Sequence, residues 1–131
     1  MRAIYKQAVI DLLEADPQLA GAVYAGEVTG TPPARYVLLF STLVHDSDIL
    51  TGPQSDHLVE ITIHSVGSTP DQAEWVAGRV TAALLNVKPV IEGRSSGRIR
   101  HTGADPIRYD DSTSPRVWFA ADEFSLHTTK G

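Results

Sequence analysis

The sequence predicts an α+β fold, an antiparallel β-sheet with two main helices packed on it in a single domain spanning residues 1–131, and three observations predict it. Within residues 57 to 87 a strand period passes into a helix period. Val59, Ile61 and Ile63 alternate with Glu60, Thr62 and His64, and then Ala73, Val76, Ala77, Val80, Leu84 and Val87 repeat at three and four. The joint is punctuated: Gly67-Ser68 breaks the strand, and Thr69-Pro70-Asp71-Gln72 supplies an N-cap, a first-turn proline and a capping-box glutamine. The second observation is an amphipathic stripe near the start. The third is a pair of extended segments near the end, joined by a run of Asp, Ser, Thr and Pro.

In order along the chain, residues 3 to 15 place Ile4, Ala8, Leu12 and Ala15 on one face, with Asp11 and Glu14 in the wet sector. Asp16-Pro17 opens a short turn ending at Gly21, ahead of a brief extended piece, Ala22-Val23-Tyr24. Residues 26–33 are punctuation. The continuous apolar run Tyr36-Val37-Leu38-Leu39-Phe40 predicts a central strand covered on both faces, paired with residues 58–65. Between these strands, residues 41–56 read as a long polar connection, functional or mobile as such connections usually are. The pair Ile49-Leu50 in its middle either tucks onto the core or waits for a partner. A helix over residues 70–86 turns Val76, Val80 and Leu84 to the sheet. Residues 92–97 read as a loop, Arg98-Ile99-Arg100 as a third extended segment, and residues 105–109 with 116–126 as a hairpin. In its second strand Val117, Phe119 and Ala121 share one face. Trp118 takes the other, as a surface ring, a packed edge or an interface anchor.

Composition excludes several function classes. At 131 residues and 42% hydrophobic the chain suits one core, and no run approaches the ~18 apolar residues of a membrane span. The opening stretch carries acids inside its apolar run, so a cytosolic chain is expected. No cysteine is present, which removes disulfides and thiol nucleophiles. The net charge of −5 is uneven: residues 1–79 hold ten acids and four bases, and residues 80–131 hold six acids and seven bases. Arg94, Arg98, Arg100, Arg108 and Arg116 lie scattered among acids without interleaved aromatics, so sequence-specific nucleic-acid binding is not expected. An acidic surface would let DNA slide past.

Candidate chemistry is thin. His57 and His64 stand seven apart on one strand and so point to opposite faces. His45-Asp46-x-Asp48 has ligand types but lacks the spacing of a calcium loop or a zinc site. Asp110-Asp111 and Asp122-Glu123 are adjacent acids that diverge, Gly93-Arg-Ser-Ser-Gly97 lacks the ending of a P-loop, and no serine elbow exists. No catalytic residue, cofactor site or metal site is assigned. A small-molecule or metal site in a cleft, using His45, Asp46, His57 or His101, is the alternative from another class.

The ordered set of elements resembles the tail terminator (tail completion) proteins of long-tailed bacteriophages. The residues that carry it are Leu13-x-x-Asp16-x-x-Leu19 reaching Val23-Tyr24, Pro33-x-x-Tyr36-Val37, and Val59-x-Ile61-x-Ile63-x-Ser65 before a capped helix. A hairpin with Arg108-Tyr109-Asp110, closing on Phe124-Ser125-Leu126, completes the set. Family members often carry a tryptophan near the end of the middle strand, where this chain has residues 64–67. The resemblance implies a structural, non-enzymatic virion protein, assembled in the host cytoplasm and needing no cofactor. It also implies a hexameric ring that caps the tail tube, stops its polymerisation and offers a surface to the head connector, with DNA passing through the lumen. A head–tail joining (neck) protein is the neighbouring alternative. The residues expected at partner or subunit contacts are Asp46, Asp48, Ile49, Leu50, Arg100 and Trp118.

Overall fold

The computed structural model describes residues 2–46, 56–112 and 116–130. Helix α1 (Arg2–Glu14) leads into the short strand β1 (Val23–Ala25) and two long strands, β2 (Tyr36–Asp46) and β3 (His57–Gly67). Helix α2 (Pro70–Leu84) follows, then β4 (Arg94–Ser96), β5 (Arg100–Ala104), β6 (Arg108–Asp110) and the long β7 (Val117–Lys130). The sheet is antiparallel throughout except at one edge, where β1 runs parallel to β2. Its centre is β2-β3-β7. The far side of β7 is lined in succession by β6, β5 and β4, each pairing with a different stretch of it.

α2 begins where its signals put it. The Thr69 hydroxyl accepts from the Gln72 backbone N–H, and the Gln72 side chain reaches back to accept from the Ser68 N–H. Ala73, Val76, Val80 and Leu84 are buried against the sheet. Burial of such side chains is worth ~1.5–3 kcal/mol each. They meet Val59, Ile61 and Ile63 of β3 and Phe124 and Leu126 of β7 in one core cluster.

Three expectations need correction. The buried stripe of α1 is Tyr5, Val9 and Leu13, while Ile4 is exposed and Ala8 and Leu12 only half-buried. The helix is thus rotated by about one residue, because the Tyr5 hydroxyl lies 2.7 Å from His57 Nδ1 and 2.8 Å from Thr128 Oγ1, and those partners lie inside. Second, β2 continues through residues 41–46, which had read as loop: Thr42 and Val44 pair with Ile61 and Val59. It is covered on one face only, with Phe40 exposed. Third, residues 94–96 form β4 rather than loop. Val117, Phe119 and Ala121 share one face of β7 as expected, and its core face is Ala120, Asp122, Phe124, Leu126 and Thr128, the parity of Trp118.

The Tyr5 cluster is a consequence that can be measured. Tyr5, His57 and Thr128 are buried, and Arg94 Nε donates to Thr128 Oγ1 at 3.2 Å, so one hydroxyl ties α1 to the ends of β3 and β7. Tyr5→Phe should lower stability by about 1–3 kcal/mol, the cost of leaving buried polar groups short of a partner. An unchanged urea midpoint would show that the hydroxyl contributes nothing.

Candidate assembly surface

Both helices lie on one face of the sheet, which leaves the other bare. Over residues 57–64 of β3 the alternation is strict: Val59, Ile61 and Ile63 are buried, Leu58 and Glu60 exposed, and Thr62 and His64 intermediate. The bare face gathers Leu43 from β2, Leu58, Glu60, Thr62 and His64 from β3, and Phe119, Glu123 and His127 from β7. Phe40, Leu43 and Leu58 stand 55%, 43% and 42% exposed, so this face carries apolar side chains that no element among the described residues covers. Acids are set among them. Glu60 lies 3.4 Å from His45 and Asp56 lies 3.5 Å from His127, loose surface contacts that add little stability.

At one end of this face the rings are ordered. His64 stacks on Phe40 with centroids 4.6 Å apart and on Phe119 at 5.0 Å, and the Arg108 guanidinium lies 5.6 Å from the Phe119 centroid. Asp105 holds Arg108 at 3.0 Å. Burial between the rings, with Arg108 nearby, depresses the His64 pKa below its ordinary 6.5, and the acid of Asp105 opposes this. The folded state thus disfavours the imidazolium, and the unfolded chain takes up the proton first. Stability should fall as pH drops below about 6.5, levelling once His64 itself is protonated. His64→Phe should keep the stack and flatten the melting-temperature profile between pH 7.5 and 5. A parent-like profile in that variant would assign the loss to other groups.

The residues expected at contacts are not brought together. Arg100 is exposed at the start of β5, opposite Ser125, whereas Trp118 stands seven residues further back on β7. At ~3.4 Å per residue that is roughly 24 Å of strand. Trp118 is half-buried and packed edge-on against Tyr109 at 5.2 Å, and Arg116 lies 4.4 Å over that tyrosine ring. It is a packed edge. Asp46 ends β2, and Asp48, Ile49 and Leu50 lie outside the described residues. The bare-face residues Phe40, Leu43, Leu58 and Phe119 carried no comparable signal, apart from alternation in residues 41–45 that polar composition masks.

The histidines and acids of the alternative reading are dispersed. His57 is in the core with Tyr5, His45 is on the bare face, and His101 Nε2 lies 2.9 Å from Asp122 Oδ1 with its ring against Phe124 on the helix side. Asp122 and Glu123 diverge to opposite faces. Asp110 accepts from the Ser112 side chain and backbone, which hold its pKa below the usual carboxylate value. Among the described residues no group of three His, Asp or Glu could hold a metal ion.

Residues 7–121 match the family described as tail completion protein gp17. No curated protein matches the chain. A chain from the virion of native gene transfer agent (GTA) particle has the same fold at a TM-score of 0.78 and 20% identity, covering 95% of this chain and 93% of that one. A second solved structure, of a protein that carries no functional name, aligns at a TM-score of 0.59 and 18% identity over 99% of this chain and 94% of its own. The family match spans most of the sequence, and the chain belongs to this family of structural phage tail proteins.

Proposed function

We propose that this member of the tail completion family is the terminator subunit of a phage-type tail: a single-domain protein that forms a hexameric ring on the last tube ring, stops polymerisation and presents a surface to the head connector. The observation that carries the reading is the family match over residues 7–121. The bare sheet face supports it, because apolar side chains on a face no helix covers suit a subunit that works by contact. The role is structural and non-enzymatic and requires no cofactor. The protein resides in the virion after assembly in the host cytoplasm, and its partners are its own copies, the tube protein and the connector. Glu60 and Glu123 on the bare face suit a lumen through which DNA passes without adhering.

Sedimentation velocity of the purified protein, alone and with tail tubes, tests the ring. A hexamer in solution, or a monomer that becomes hexameric on tubes, is expected; a monomer that binds no tube at high concentration contradicts the reading. Asp46, Asp48, Ile49 and Leu50 are proposed to contact a neighbouring copy or the tube, with acids for solvation and Ile49-Leu50 to bury. Replacing both Ile49 and Leu50 by serine should leave the melting temperature nearly unchanged and weaken assembly, as ring formation or tube binding. A large loss of stability with intact binding would make the pair ordinary core.

A further inference from the structure

Resting on the ring reading, we propose that neighbouring copies join by continuing the sheet: the open edge of β2 in one copy pairs antiparallel with the outer edge of β5 in the next. β2 is 11 residues long, yet β1 pairs only with Val37, Leu38 and Leu39. Beyond Leu39, no strand among the described residues occupies this edge. On the opposite side of the sheet, β5 pairs with β7 alone.

Backbone direction shows which groups are on offer. The Gly97 N–H donates to the His127 carbonyl and the Asp105 N–H to that of Ala121, so odd residues of β7 face β5 and even ones face β3. Through the register, odd residues of β3 face β7, and Leu58, Glu60 and Thr62 face β2. Their partners His45, Leu43 and Ser41 therefore face inward. Thr42 and Val44 turn their N–H and C=O groups out.

Residues 41–45 contain no proline, lysine or arginine, and Thr42 and Val44 are β-branched, the composition that invites another strand. An open groove lined by Ala3, Lys6, Gly26 and residues 39–42 runs beside this edge.

The occupant is a second copy, because the two edges of one chain are complementary in level and direction. Thr42 pairs with Ile61, Ile61 with Phe124, and Phe124 with His101, so the open stretch of β2 and strand β5 lie at the same height across the sheet. β2, β3, β7 and β5 alternate in direction. Copies related by rotation about an axis along the strands therefore bring β2 beside β5 antiparallel, and such a head-to-tail contact closes into a ring. Arg100, on the bare face at the level of Leu43 and Glu60, would then lie near the neighbour's Glu60.

The chain has no cysteine, which makes the contact directly testable. Thr42→Cys would be combined, one at a time, with His101→Cys, which the register places at its level and on its face, Thr102→Cys and Ala104→Cys, and rings formed alone or on tail tubes would be oxidised. At least one pair should give a non-reducing ladder of covalent multimers containing most of the chain, and mixing two single-cysteine variants should give dimers only. Thr42→Pro should melt within a few degrees of the parent and form no rings, whereas Thr42→Val, which keeps the edge N–H, should form them. If Thr42→Pro does not fold, the cross-links decide. Rings that form in the parent but give no ladder with any of the three partners would overturn the edge pairing and leave the ring standing. A parent chain that forms no ring, alone or on tubes, would overturn both.

Discussion

Replacing Val80 by aspartate is expected to leave a chain that does not fold. Val80 is fully buried in the α2 stripe, inside a cluster that joins both helices to β3 and β7. A carboxylate there would have to ionise in an apolar interior or be buried protonated without a partner, at a cost of several kcal/mol. Set against the ~5–15 kcal/mol by which a domain is stable, that is most of the total. Circular dichroism should show no cooperative melting. Val80→Ala removes only volume and should cost about 2 kcal/mol while still folding. A Val80→Asp chain that melts like the parent would mean that this stripe does not face the sheet.

Gly67→Ala should be the next most damaging change. Gly67 is the buried last residue of β3, and a Cβ on it would lie 2.6 Å from the Ala73 nitrogen and the Gln72 Cβ and 2.8 Å from the Gln72 carbonyl carbon. These atoms belong to the first turn of α2, which the Thr69 cap fixes in place. The backbone cannot step aside without breaking the cap. Overpacking of this kind costs roughly 1–3 kcal/mol, and contact with backbone rather than a flexible side-chain end favours the upper part of that range. A clear fall in the urea midpoint is expected. A parent-like midpoint would show that the strand-to-helix joint has room to relax.

That joint is also where the sequence was most legible, because every signal there is local. Thr69, Pro70 and Gln72 act within one turn, and the stripe from Ala73 to Leu84 needs only the helical period to be read. Legibility failed where distant partners decide. In α1 two interleaved stripes have the same spacing, and the choice of Tyr5-Val9-Leu13 over Ile4-Ala8-Leu12 rests on His57 and Thr128, more than fifty residues away. In β7 the core face carries Asp122 and Thr128, polar residues that hide the alternation. They are tolerated inside because His101 and Tyr5 bond them.

The contact surface was less legible than the fold. Residues 41–46 looked like loop because serine, threonine, histidine and aspartate dominate them, yet they complete a long strand with an open edge. β4, with Arg94, Ser95 and Ser96, has no apolar residue at all and is held by pairing with the end of β7. Arg100 and Trp118 are single residues, whereas a sheet surface is made of many inconspicuous ones. The edge and the bare face emerge only once register places β2, β3 and β7 side by side.

The proposed role is that this protein ends a tail tube. The most direct measurement is the length and end structure of tubes assembled from purified tube protein with and without it, seen by negative-stain microscopy. A ring on one end of each tube and no further growth when fresh tube subunits are added are expected. Tubes that carry no ring and continue to elongate in its presence would contradict it.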